Sequence, residues 1–330
     1  MPELPEVETI KRDLIKQVLN KEICKIGILL PRAFENPLNS EINGKISDIS
    51  RVGKYLVFQI TDYKLQITNP QSTTPSPVLT RHAVYPPSLL STLLIHLRMT
   101  GKLIYHPTSK GFDTYISQLK LQDNIYPPPS PPTYMGGAEM CAALNLEQYK
   151  HTRVIFYFSG GDCLLFNDIR TFGKIEVYPY GAEIEKLNKL GVDALSEDFT
   201  SKYLMDICKS KKIPIKNLLL DQRLIAGIGN IYAQEILFAA RVSPLKLASD
   251  LTAKEIDLVY GFTREILELA ILHNGTSISD FRRVDDKTGE FQNFLKVYGK
   301  KYCSECGEVL CKVKQGGRGT SFCGKCQGNS

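Results

Sequence analysis

Met1-Pro2-Glu3-Leu4-Pro5-Glu6-Val7-Glu8-Thr9 opens the chain, and the fold is read outward from it. Val7, Ile10, Leu14 and Val18 recur at helical spacing, which predicts an amphipathic helix over residues 5–19. The plain reading of the two prolines is a turn that feeds this helix. The second reading is chemical. Without Met1, Pro2 carries a free secondary amine, and α-amino groups have pKa values of roughly 7.7–8.0, so a useful fraction is unprotonated near neutrality. A secondary amine that adds to a sugar or carbonyl carbon gives an iminium with no N–H proton to lose, so the adduct stays an electron sink. Glu3, one peptide bond away, is placed to shuttle protons.

Beyond the helix the pattern changes to short alternating or apolar runs separated by Gly, Pro and Asn. These are Glu22–Leu30, Ile46–Ile49, Tyr55–Ile60, Leu93–Leu97, Lys102–His106, Arg153–Phe158, Cys163–Asn167 and Lys174–Val177. They predict antiparallel strands in a sandwich or barrel. From Phe199 to His273 the pattern is helical, with breaks at Ser243-Pro244 and Leu251-Thr252. Residues 69–90 and 107–148, which include Pro127-Pro128-Pro129-Ser130-Pro131-Pro132, read as loop insertions; the proline run is a spacer before it is a peptide ligand.

The 330 residues, 43% of them hydrophobic, suffice for two or three domains. The net charge of +6 suits an anionic partner, and the excess is uneven. Lys296, Lys300, Lys301, Lys312, Lys314, Arg318 and Lys325 face only Glu305 and Glu308 in the tail. No apolar run is long enough for a membrane span, and the N-terminus has no signal-peptide pattern. Nine cysteines without a secretion signal point to a reducing compartment, where clustered thiols bind metal more often than they pair.

The cysteines cluster at the tail. Cys303-x-x-Cys306 and Cys323-x-x-Cys326 have the spacing of a tetrahedral four-cysteine shell for one structural zinc ion, with no open position for catalysis. Cys311 reads as a non-ligand, and Cys24, Cys141, Cys163 and Cys208 as scattered buried thiols. Between the two pairs, Gln315-Gly316-Gly317-Arg318-Gly319-Thr320 reads as a hairpin tip that could bring Arg318 to a phosphate, or as an exposed loop.

Further segments complete the pattern. Gln222–Glu235 places Gly227-Ile228-Gly229-Asn230 before an amphipathic run, a turn that could offer backbone N–H groups and the Asn230 amide to a phosphate. Gly53-Lys54-Tyr55 opens a strand. His96-Leu97-Arg98-Met99-Thr100-Gly101 and Asp168-Ile169-Arg170-Thr171-Phe172-Gly173 are polar–apolar loops. Gly275–Asp280, Gly289–Gln292 and Val297–Lys300 lead into the cysteine module. Together with the opening nonapeptide, these segments resemble the bacterial formamidopyrimidine-DNA glycosylase family over nearly the whole chain outside 69–90 and 107–148. Arg98 departs from that pattern, standing where the family usually has Gly.

The resemblance implies an α+β multi-domain fold. Residues 1–190 would form a catalytic β-sandwich domain with an N-terminal helix, residues 191–295 a helix–two-turns–helix domain with a damaged-base loop, and residues 296–330 a zinc-finger hairpin. It implies a bifunctional DNA glycosylase and abasic-site lyase of base excision repair that removes 8-oxoguanine and formamidopyrimidines. Pro2 would be the nucleophile and Glu3 the general acid. Lys54 and Arg318 would assist the β and δ eliminations, with Glu6 lining the pocket. Met99, Arg170 and Phe172 would fill the gap left by the flipped base. His151, Lys212, Lys216 and Asn230 would hold DNA along with Arg170. The resemblance further implies a monomer acting on double-stranded DNA in the bacterial cytoplasm, on the nucleoid, with zinc and no organic cofactor. Two other readings stand beside it: an endonuclease VIII-like glycosylase for oxidised pyrimidines, and a zinc-finger protein that binds damaged DNA without cutting it.

Overall fold

The computed structural model describes residues 1–39, 42–61, 90–107, 150–278 and 281–328. The expected insertions near 69–90 and 107–148 lie outside the described residues except at their edges, as do Cys141 and Ser279-Asp280. By contact the chain falls into two units. One gathers Met1–Asp13, Ser50–Leu56 and Glu183–Ser330; the other gathers Leu14–Ile49 and Val57–Ala182.

The helix expected over 5–19 is α1, Leu4–Val18. Its apolar stripe, Leu4, Val7, Ile10, Leu14 and Val18, is buried. Among the described residues the sheet holds nine strands: β1 (Glu22–Ile28), β2 (Phe34–Glu35), β3 (Gly44–Val52), β4 (Tyr55–Thr61), β5 (Leu90–His96), β6 (Gly101–His106), β7 (Thr152–Phe158), β8 (Cys163–Asp168) and β9 (Lys174–Pro179). Their order is β2-β9-β5-β4-β3-β1-β7-β8-β6, in one hydrogen-bonded sheet. Eight strands coincide with the runs read from sequence. The ninth, β2, has two residues, too few to carry a period, and it pairs parallel to β9.

Alternation explains the core. In β7 the residues Thr152, Val154, Phe156 and Phe158 turn inward, and in β8 all six side chains are buried. Cys163 and Cys208 are buried as expected, but Cys24 is exposed. Ile23 takes the buried face of β1, so its neighbour Cys24 faces away, its thiol donating to the Tyr157 carbonyl at 3.3 Å; the register of β1 against β7 shifts between Ile23 and Lys25.

The other unit is mainly helical: α2 (Ser201–Lys209), α3 (Ile215–Leu220), α4 (Asn230–Ala239) and α5 (Ala253–Leu272). Thr252 starts α5 with a reciprocal capping box to Glu255. Leu4, Phe199, Leu218, Ile228, Tyr232, Ile236 and Leu267 belong to its core. Two short strands, β10 (Val192–Asp193) and β11 (Ile225–Ala226), pair in parallel beside it. The tail hairpin is β12 (Cys311–Gln315) and β13 (Arg318–Phe322), turned by Gly316 and Gly317, both at positive φ.

Three glutamines join the tail module to α4 and to the segment that follows it. Gln234 of α4 accepts the Ser321 N–H at 2.6 Å. Gln315 donates to the Pro244 carbonyl and Gln327 to that of Val242, each at 2.9 Å.

Candidate active site

The N-terminal nonapeptide meets the start of α4. Glu3 Oε1 accepts the Ile231 N–H at 3.0 Å and Oε2 that of Tyr232 at 3.4 Å, so a carboxylate from the far end of the chain caps this helix. Two N–H groups expected to face a phosphate are therefore taken by Glu3. Glycine is needed where the two pass. A Cβ on Gly229 would lie 2.1 Å from the Glu3 carboxyl carbon, and one on Gly227 would lie 2.4 Å from Leu4. The Leu4 N–H donates to the Gly227 carbonyl at 3.1 Å. Pro2 is buried, and Met1 is exposed.

Glu6 lies below Glu3. It accepts the Glu3 N–H at 2.8 Å, the Tyr232 hydroxyl at 2.5 Å and the Thr276 N–H at 2.7 Å. Burial and the nearby Glu3 raise its pKa to about 7 despite these three donors. The same burial and the Glu6 carboxylate hold the Tyr232 hydroxyl well above its ordinary pKa, so it stays a donor.

The turn between β3 and β4 supplies Lys54, buried, with its ammonium on the Ile228 carbonyl at 2.9 Å. Burial lowers its pKa to about 8, with Arg318 lowering it further and Glu3 and Glu6 opposing. Lys216 is fully buried, donating to Asn230 Oδ1 and Thr320 Oγ1, both at 2.7 Å; burial and Arg318 bring it also to about 8. Asn230 in turn donates to the Gly319 carbonyl at 3.2 Å. Arg318 stands exposed at the hairpin tip, and Lys212 is exposed before α3. Pro2, Glu3, Glu6, Lys54, Lys216, Asn230 and Arg318 thus all fall in one unit, from four separate stretches of chain.

Sequence reading missed the support of this pocket. Arg51, on β3, donates to Glu8 at 3.0 Å, to both Asp193 oxygens at 2.5 and 3.1 Å and to the Gly53 carbonyl at 2.9 Å. Asp193 also accepts the Gly53 N–H at 3.1 Å. The hairpin bearing Lys54 is therefore gripped on both sides. No local signal in the mixed polar and apolar run of β3 marks Arg51.

In the other unit, Met99 and Phe172 are large apolar residues left in solvent, 41% and 52% exposed. Arg170 joins them, with its Nη1 3.3 Å from the Met99 sulfur and its guanidinium carbon 5.0 Å from the Phe172 ring centre. Asp168, wholly buried, organises both loops. It accepts from the Thr100 hydroxyl and from the Gly173 N–H, and Thr100 accepts the Arg170 N–H at 3.0 Å. Arg98 adopts φ 55°, a left-handed turn that explains why glycine suits this position. The backbone carbonyl of His151 accepts the Asp168 N–H at 2.9 Å; burial, then Arg153, Lys150 and Lys102, lower the imidazole's pKa, favouring its neutral form.

The four cysteine sulfurs of Cys303, Cys306, Cys323 and Cys326 lie within 4.8 Å of one another. The 303–326 and 306–323 separations are 3.9 and 3.5 Å. Thiolates at about 2.3 Å from a zinc ion at tetrahedral angles would be about 3.8 Å apart, so the set fits a closed metal shell.

Comparison with known proteins places these features together. Residues 1–175 match the formamidopyrimidine-DNA glycosylase N-terminal domain, and residues 190–282 match the H2TH domain of the same enzyme. The formamidopyrimidine-DNA glycosylase of Pelotomaculum thermopropionicum is 34% identical, covering 99% of both chains. The crystal structure of the MutM (Fpg) protein from Thermus thermophilus is similar at TM-score 0.72 and 31% identity, covering 100% of each chain. A structure of MutM with DNA containing carbocyclic 8-oxo-G is similar at TM-score 0.73 and 31% identity, covering 99% of this chain and 100% of that one.

Proposed function

The chain belongs to the formamidopyrimidine-DNA glycosylase family, and on that premise we propose which of its residues carry each step. It is a DNA glycosylase and abasic-site lyase for oxidised purines in base excision repair. The carrying observation is the Glu3 carboxylate, fixed by two backbone N–H groups at a helix start one peptide bond from Pro2.

Once Met1 is removed, the Pro2 nitrogen attacks C1′ of the damaged nucleoside. The Glu3 carboxylate takes the N–H proton that Pro2 loses on attack and, now an acid, gives it to the ring oxygen as the sugar ring opens and the base leaves. The resulting iminium acidifies C2′, and loss of that proton expels the 3′ phosphate. Lys54, with a pKa near 8, is still mostly charged at pH 7 yet gives up its proton more readily than an ordinary lysine. It holds or protonates the departing phosphate, and Arg318 does the same for the second, δ, elimination. Met99, Arg170 and Phe172 occupy the gap in the duplex, an apolar wedge beside a cation. His151, Lys212 and Arg170 hold phosphates. Lys216 and Asn230 support the same strand from behind, through Thr320 and Gly319 of the hairpin that bears Arg318.

The four cysteines would hold one structural zinc ion, whose role is to fix that hairpin. The active form is a monomer on double-stranded DNA, in the bacterial cytoplasm on the nucleoid. Among the described residues, no helix is long and apolar enough to cross a membrane.

Borohydride trapping on a duplex with one 8-oxoguanine opposite cytosine tests the scheme. A covalent adduct at Pro2 with strand cleavage is expected. No adduct on either the lesion or a plain abasic site, from protein lacking Met1 and loaded with zinc, would overturn it.

A further inference from the structure

The chain leaves α5 at His273 and forms a loop with a closed neck. Gly275, at φ 78°, and Gly289 pass so near that a Cβ on Gly289 would lie 2.2 Å from the Gly275 carbonyl oxygen. Around that crossing, Ser277 Oγ accepts the Gly289 N–H at 2.8 Å, and Gln292 Oε1 accepts the Ser277 N–H at 2.9 Å. Further out, the Arg283 N–H donates to the Lys287 carbonyl at 2.8 Å, closing a tight turn, while Phe281 and Val284 are buried.

This loop is attached to α1 at two points. At the neck, Glu6 accepts the Thr276 N–H. At the crown, Asp13 takes a two-pronged contact from Arg283, Nε to Oδ2 and Nη2 to Oδ1, both at 2.9 Å. The two side chains are only 22% and 11% exposed. Glu6 and Asp13 stand two turns apart, on one face of α1 and about 10 Å from each other along its axis. The helix that begins just after Pro2 and Glu3 therefore carries a row of carboxylates that hold the loop. The neck closes through its own hydrogen bonds and needs neither Asp13 nor Arg283. The pair adds one thing, the placement of the crown against α1.

We propose that Asp13 and Arg283 form a latch that sets the damaged-base loop against the nucleophile helix, making both residues positioning residues for base excision. This rests on the glycosylase reading above. The logic separates two reactions of one enzyme. Excision requires a base held while Glu3 delivers its proton. A pre-formed abasic site has no base to hold, so its cleavage gains nothing from the crown.

The test uses the full chain, zinc-loaded and lacking Met1. Single-turnover release of 8-oxoguanine is compared with incision at an abasic site in the same duplex. Arg283→Gln and Asp13→Asn should each slow excision roughly tenfold or more while slowing abasic incision less than about threefold. Arg283→Lys, which keeps charge but loses the fork, should recover part of the loss. Hydrogen exchange over residues 281–290 should quicken in Asp13→Asn and stay unchanged in α5, a readout that stands even if Arg283→Gln folds poorly. Parallel loss of both reactions, or excision unchanged in both variants, would overturn the latch. Failure of the unaltered chain to form a trappable adduct at the abasic site would sink the glycosylase reading instead, and the latch with it.

Discussion

Glu3 and Glu6 are 2% and 1% exposed, whereas Met99 and Phe172 are 41% and 52% exposed. The first pair are ionisable residues kept from water, the second apolar residues kept in it. Each is costly alone, and each is held by the opposite kind of support. Four backbone N–H groups and a tyrosine hydroxyl satisfy the buried carboxylates. One buried carboxylate, Asp168, ties down the loops that expose Met99 and Phe172. On the roles proposed above, the difference is a division of labour: proton chemistry needs a dry, fixed site, and a wedge must be free to leave water for the base stack.

The sharpest way to break the comparison is Glu3→Gln. It keeps an oxygen acceptor for the helix start but removes the proton donor. Base excision should fall by about 10²–10⁴-fold while pre-formed abasic sites are still cleaved, measured by single-turnover assays. Equal loss of both would reject the acid role. Next is the metal. Chelation, or Cys306→Ala, should free the hairpin from its fold and weaken DNA binding by at least about a hundredfold in a titration; unchanged binding would make the module dispensable.

Glu6 gives a pH test of the buried side alone. Its folded pKa of about 7 lies above the ordinary 4.5, so the folded state binds the extra proton between those values. Its stabilising contribution is complete below pH 4.5 and is lost as pH rises through 7, by about 3 kcal/mol. Glu6→Gln should flatten this fall in denaturant unfolding at pH 5 and pH 8, and an unchanged slope would place the proton elsewhere. On the exposed side, Met99→Ala should slow excision roughly tenfold and leave stability within about 0.5 kcal/mol. A large drop in Tm would make Met99 a packing residue. The smallest effect belongs to Arg98→Gly, which relieves the left-handed backbone and should raise stability by no more than about 1 kcal/mol in thermal unfolding.

Much of this was legible in the sequence, for reasons of range. The α1 stripe and eight strands announce themselves through local period, and the cysteine spacing announces a metal shell. What was hidden lies in long-range partners. Arg51 meets Asp193 from 142 positions away, and Tyr232 meets Glu6 from 226. A local pattern says that a residue is buried but not whom it meets. Cys24 failed for a plainer reason: neighbouring strand residues take opposite faces, and Ile23 takes the buried one. Lys216 was expected only to hold DNA; that it is buried could not be read locally, because its partner Thr320 lies 104 positions along the chain.

The catalytic unit is stitched from Met1–Asp13, Ser50–Leu56 and Glu183–Ser330. On the ribosome these pieces emerge at different times. At roughly 5–20 residues per second, the first thirteen residues wait between about a quarter of a minute and a minute for the hairpin that completes their pocket. If Pro2 is the nucleophile proposed above, its surroundings are complete only once Thr320 and Gly319 of that hairpin have emerged to meet Lys216 and Asn230.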